Sequence, residues 1–244
     1  MMGVMQEPVV PVPEDGPADD LASAALALAR QFAAGSTMWC VAPQWPAHGR
    51  HVAVEFVHPV IVGTRALPAI SLDAAGAADS LRLLARPGDI LLVIGTTDAP
   101  GVVDLLTRAP AWGMTGVWLG IGTRPSAAPA DHVVWQEEVD PSLSARSGDL
   151  VLLYHLLWEL THVVLEHPGL LAIEPACTEE VCITCSDEGQ VAEVRSVLSG
   201  GGVNVIVGGR YETIDASLVD PVAPGELLLV HAGVALTTLG EPRP

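Results

Sequence analysis

The pattern His-x3-Glu-x2-His occurs twice in this chain, as His51, Glu55, His58 and as His155, Glu159, His162. Side chains three and four positions apart share one face of an α-helix. Each triplet therefore presents two imidazoles and a carboxylate along one stripe wherever its segment is helical, and that donor set suits zinc, iron or manganese. His48 prolongs the first stripe by a turn and Glu166 prolongs the second. Together the two faces offer either a closed mononuclear site or a two-metal site, and paired Glu-x-x-His elements also occur in carboxylate di-iron bundles. Polar helix faces whose histidines merely hydrogen-bond give the same spacing.

Cys177, Cys182 and Cys185 form a second cluster, while Cys40 stands alone in an apolar segment. In a cytosolic chain such clustering favours metal or redox chemistry over structural disulfides.

The elements that must position these groups are legible from composition and periodicity. A chain of 244 residues, 50% hydrophobic with mean hydropathy +0.42, supports one large or two modest cores. No apolar run reaches the roughly 18–20 residues that cross a bilayer, and the start lacks a basic leader, so a cytoplasmic location is expected. Eleven arginines and no lysine stand against 29 acids, a net charge of -18 that opposes nucleic acid and anionic membrane as partners.

Residues 1–19, rich in Pro, Asp and Glu, read as a tail. A helix follows to about Phe32, with Leu21, Ala25, Leu28 and Phe32 inward. Apolar strands are expected at 38–42, 67–71, 89–95, 116–121 and 132–135, alternating with helices at 48–57, 75–85, 100–108 and 147–166. That alternation predicts an α/β fold with a parallel sheet covered on both faces. Residues 168–179 read as a linker. Beyond it, short apolar runs at 191–197, 203–207, 212–214 and 227–230, separated by Gly- and Pro-rich turns, predict a small β-barrel of the OB kind.

The stretch from Gly88 to Trp135, with Gly-Asp-Ile-Leu-Leu-Val-Ile, Val-Val-Asp-Leu-Leu and Trp-Gly-Met-Thr-Gly, resembles the sugar-isomerase (SIS) family, most closely its phosphoheptose-isomerase branch. The likeness extends over residues 20–167 and implies homo-oligomers. In that branch a Gly-rich phosphate loop precedes a helix carrying His and, four residues on, Glu; His51 and Glu55 fall at those places. Here Val41-Ala42-Pro43-Gln44-Trp45 replaces the glycines, and Pro43 and Trp45 do not let backbone amides approach a phosphate as glycines do. The family's last helix brings a Gln and a His to a zinc-assisted site. An ungapped placement puts Val151 and Glu159 at those positions.

The segment Val181-Cys182-Ile183-Thr184-Cys185 and the later run Leu229-Val230-His231-Ala232-Gly233-Val234-Ala235 resemble the HypC/HupF hydrogenase maturation chaperones over residues 180–240. That resemblance implies a HypC-like β-barrel in which Cys182 and His231 hold the iron of an Fe(CN)2CO unit, with Cys185 as an additional ligand. It also implies as partners a HypD-like maturation protein and the [NiFe]-hydrogenase large-subunit precursor. In the family the Cys follows the initiator Met, whereas Cys182 lies deep inside this chain.

The reading these features support is a [NiFe]-hydrogenase maturation factor, an iron or Fe(CN)2CO carrier with a further iron or zinc site in a repurposed SIS domain. The alternative is a sugar-phosphate isomerase or sensor of the phosphoheptose-isomerase type.

Overall fold

The computed structural model describes residues 17–59, 63–99, 101–137, 148–171, 189–219 and 221–239. Helix α1 runs over Pro17–Ala33, with Asp19 and Asp20 in its first turn and Arg30 in its last, charges that complement the helix dipole. It reaches three residues into the stretch expected to be tail, because those acids stabilise its first turn. The remaining elements of the first layer system are β1 (Met38–Val41), α2 (Pro46–Val57), β2 (Ala69–Leu72), α3 (Ala77–Leu84), β3 (Ile90–Gly95), α4 (Val102–Arg108), β4 (Thr115–Ile121), β5 (His132–Gln136), α5 (Asp149–Glu166) and the single turn α6 (Pro168–Leu171). That last turn occupies the start of the expected linker.

The strands pair in parallel in the order β2-β1-β3-β4-β5. Because side chains alternate across a strand, each strand feeds two cores. Met38, Cys40, Ile90, Leu92 and Val117 pack under α1, α2 and α5. Trp39, Val41, Leu91, Val93 and Trp118 pack under α3 and α4. Cys40 is wholly enclosed, and burial pushes its thiol far above the ordinary cysteine range, which makes it an inert packing group. Gly120 on β4 is needed for room: a Cβ there would sit 1.7 Å from Cζ3 of Trp135.

The second part is a closed barrel of β6 (Gln190–Val197), β7 (Gly202–Val207), β8 (Arg210–Asp215), β9 (Leu227–His231) and β10 (Val234–Leu239), in the order β10-β8-β7-β6-β9. Its pairings are antiparallel except the one between β10 and β8 that closes it. Ala192, Val194, Val205, Leu228 and Ala235 fill its interior. The α/β fold and the barrel are thus both as the sequence predicts. Strand β10 is an addition: its Thr237 and Thr238 and its single buried residue, Ala235, leave no apolar run to read.

The barrel docks on the α3/α4 face of the sheet. Ile206 joins the core there, Arg108 Nη1 donates to the carbonyl of Gly225 at 2.7 Å, and the amide of Gly209 donates to the carbonyl of Ala111 at 2.9 Å. A Cβ on Gly113 would meet the carbonyl oxygen of Gly208 at 2.8 Å, so the two backbones touch where neither has a side chain.

Candidate metal centre

The strand order reverses between β1 and β3, and open parallel sheets gather ligands outside the carboxyl ends of their strands at such a point. Helix α2 leaves β1 there. Pro46 opens it at a position where the missing N–H costs nothing, and Val52, Ala53 and Phe56 fix its inner face against Leu150, Tyr154, Leu157 and Trp158 of α5. With those apolar faces locked, the polar residues between them meet along the α2/α5 seam.

His51, Glu55 and His155 converge, each offering a donor atom within 4.8 Å of the others. His51 Nε2 lies 3.0 Å from Glu55 Oε1, and His155 Nε2 lies 3.5 Å from the same oxygen. Ligands held at zinc's tetrahedral distances stand about 3.3 Å apart, so these spacings bracket what one ion needs. The rings of the two histidines are 5.3 Å apart and nearly perpendicular. His155 Nε2 is sealed from solvent and makes no hydrogen bond. A buried nitrogen left bare costs about 1–3 kcal/mol, and an ion beside Glu55 would satisfy it. Arg30 Nε and Trp158 Nε1 also lack partners, but both are donors and cannot bind a cation. The donor set therefore fits a divalent transition metal.

Tyr154 adds a group that spacing does not reveal. Its hydroxyl stands 2.8 Å from His51 Nδ1 and 3.3 Å from His48 Nδ1. Burial and then the charge of Glu55 push its phenol up to about 12, so it keeps its proton across the neutral range. The signal that could have found it is its place beside His155 in an otherwise aliphatic helix stretch.

The other candidates stand elsewhere. His58 is exposed at the C-terminal end of α2, where its backbone amide bonds to the carbonyl of Val54. Glu159 is exposed on α5. His162 is buried, with Nδ1 2.9 Å from the carbonyl of Trp158 and Nε2 3.0 Å from that of Arg65, so both ring nitrogens are engaged by main chain. The reason is axial distance. Seven helical residues rise about 10.5 Å, too far for one ion to touch both histidines of a triplet. The structure instead takes the His51/Glu55 pair from α2 and one imidazole, His155, from α5. This also revises the ungapped placement: the histidine of the last helix that meets the α2 pair comes one turn before Glu159.

The place of the phosphate loop is filled. Gln44 Oε1 accepts from the backbone N–H of Thr96 at 3.0 Å and from its hydroxyl at 3.0 Å, and that hydroxyl also contacts the carboxylate of Asp98. An amide at the end of β3 that could face an anion is thereby consumed.

In the barrel, His231 ends β9 and pairs with Val234 across a two-residue turn. Ala232 (φ 49) and Gly233 (φ 80) both lie in the left-handed region, the requirement of a tight type I′ hairpin. Cys177, Cys182 and Cys185 lie outside the described residues.

No family model matches the chain, and no curated protein matches it. Solved structures do. A phosphoheptose isomerase from Francisella tularensis is 17% identical over 59% of this chain and 86% of its own, with a TM-score of 0.51. A phosphosugar isomerase assigned to capsule formation in Bacteroides fragilis is 16% identical over 64% of this chain and 82% of its own, also with a TM-score of 0.51. The first five strands and their helices thus have the SIS fold of phosphosugar isomerases. Among the described residues no helix is long and apolar enough to cross a membrane.

Proposed function

We propose that the SIS-type domain holds a divalent transition metal, zinc or iron, through His51, Glu55 and His155, and uses it in isomerase chemistry on a hydroxy-carbonyl compound of the sugar class. The observation that carries this is the convergence of the three donors around a buried, bare His155 Nε2. The metal would polarise the substrate's carbonyl. His51 and His155 would hold the metal, and Glu55, whose carboxylate has a second oxygen, would take a proton from the hydroxyl-bearing carbon beside the carbonyl and return it to the carbonyl carbon, while the hydroxyl proton of that neighbouring carbon passes to the carbonyl oxygen. The likeness to phosphosugar isomerases supports this reading at the level of fold. The engaged Thr96 amide argues for a substrate gripped through its hydroxyls rather than through the family's phosphate loop.

The test is zinc titration calorimetry of the full chain, with elemental analysis, beside an aldose–ketose assay on free and phosphorylated sugars. One metal per chain, lost in E55Q and H155A together with turnover, is the expected result. A chain that binds no transition metal stoichiometrically overturns it.

A second reading attaches to the barrel. A closed five-stranded barrel carrying His231 at a tight hairpin supports a HypC-like module, with Cys182, His231 and Cys185 holding iron or Fe(CN)2CO for a HypD-like partner and a [NiFe]-hydrogenase precursor. The barrel sits on the α3/α4 face, whereas the triad lies along α2 and α5, so any transfer between them within one chain must pass around the sheet edge. Infrared bands for cyanide and carbonyl on the purified protein, and loss of hydrogenase maturation in C182A cells, are the expected results. Unchanged maturation in C182A sinks this reading and leaves the first intact.

A further inference from the structure

We propose that Tyr154 is the positioning residue of the metal centre, and that its hydroxyl reverses its hydrogen bonds when the metal binds, so that occupancy of the triad is relayed to His48. The inference rests on the metal reading above and deepens it. A phenol has one proton to give and lone pairs to receive. Placed 2.8 Å from His51 Nδ1 and 3.3 Å from His48 Nδ1, the Tyr154 oxygen can donate to one of these nitrogens while accepting from the other, but cannot donate to both.

Without metal, His51 Nε2 faces the Glu55 carboxylate at 3.0 Å. An ionised carboxylate only accepts. In a His51 ring that carries one proton, that proton therefore sits on Nε2, Nδ1 is bare, and Tyr154 gives its hydrogen to it. The phenol oxygen is then the acceptor for His48, whose Nδ1 must carry hydrogen. With metal, the lone pair of His51 Nε2 is taken. The ring proton moves to Nδ1 and is donated to the Tyr154 oxygen, as the second nitrogen of a metal-bound histidine normally is. The phenol hydrogen swings to His48 Nδ1, which must now be bare, and His48 carries its hydrogen on Nε2. No proton is gained or lost along the chain: each imidazole keeps one and the phenol keeps its own, and only their positions change. A hydroxyl is the group that serves His51 in both states; a carbonyl could serve only the metal-bound one.

The experiment is long-range 1H–15N correlation of the imidazole nitrogens of the uniformly labelled full chain at neutral pH, with and without zinc, in wild type and in Tyr154→Phe. Phe keeps the packed ring and removes only the hydroxyl. The expected result is that zinc moves the protonated nitrogen of His51 from Nε2 to Nδ1 and that of His48 from Nδ1 to Nε2. In Y154F zinc affinity falls about 10–100-fold and His48 ceases to respond to zinc. Zinc binding to wild type with a silent His48, or a Y154F chain with unaltered affinity and an unaltered His48 response, overturns the relay while the metal site stands. Failure of zinc to bind wild type at all overturns the metal reading, and the relay with it.

Discussion

Glu193 of the barrel accepts a hydrogen bond of 2.6 Å from the indole nitrogen of Trp112 in the α/β domain, and both residues are buried. Its other oxygen accepts from Arg82 Nε, also at 2.6 Å. Arg195 and Arg108 stand 3.4 and 3.8 Å away. A carboxylate in an apolar joint is tolerable only when paired and fully hydrogen-bonded, and this one is met by donors from both sides. The contact makes the joint specific: the barrel seats in the one orientation that covers its own charge.

Removing that charge should loosen the joint. Glu193→Gln is nearly the same shape but opposes an amide NH2 to either Arg82 or Trp112, and leaves a guanidinium uncompensated. A loss of about 3–5 kcal/mol is expected. Guanidinium denaturation should show one transition for the wild type and two for the variant, with the barrel unfolding apart from the α/β domain. A variant that unfolds in one step at the wild-type midpoint would contradict this.

The two histidines of α5 should behave oppositely. His155→Ala should abolish the stabilisation that zinc confers, which for a binder at 100 times its dissociation constant is about 2.7 kcal/mol. His162→Leu should lower stability by about 1–3 kcal/mol, since the carbonyl of Arg65 loses its buried donor. It should leave the zinc-induced shift in melting temperature unchanged. Thermal scans of both variants with and without zinc read this directly; a zinc shift lost in H162L and kept in H155A would reverse the assignment.

What the sequence conveys and withholds follows from its physical scale. Strands such as β3, buried on both faces, announce themselves as continuous apolar runs. Metal-capable faces are likewise visible as spacing. Spacing within a helix does not say which turn faces a neighbour, however, so His155 and His162 look equivalent until α5 packs on α2 and separates them by two turns. Tyr154 escapes because hydrogen bonding between helices has no local period. The docking of the barrel has a faint trace: Glu193 lies between Ala192 and Val194 in an otherwise apolar part of β6, a charge that a strand keeps only when something covers it.

His132 gives the fold a pH dependence. Burial holds it below the ordinary histidine value of 6.5, and Asp131 opposes this only in part. The ring, 3.2 Å from the Ser23 hydroxyl, ties β5 to α1. The folded protein therefore binds this proton less readily than the unfolded chain. The contribution is present above pH 6.5 and is lost as pH falls through the folded value. Chemical denaturation of wild type and His132→Asn between pH 5 and pH 8 should show the two stability curves converging toward acid; a constant difference across that range would exclude His132 as the source.

The hairpin after β9 holds a residue at odds with its backbone. Ala232 adopts φ 49, a left-handed conformation in which its Cβ crowds the following carbonyl at a cost of about 1–2 kcal/mol. The turn demands it: with Gly233 at φ 80 and His231 paired to Val234, two left-handed residues in succession are the geometry that joins twisted strands in so short a loop. Asn tolerates this region far better than Ala because its side chain can hydrogen-bond locally. Ala232→Asn should therefore raise stability by about 1 kcal/mol without altering the barrel, as urea denaturation and amide exchange of β9 and β10 would register. Strain of this kind persists where surrounding structure imposes it, commonly beside a functional group. If it serves to aim His231, then A232N should gain stability while weakening the iron binding proposed above for that residue, and a gain in stability with iron affinity equal to that of the wild type would show the strain to be incidental.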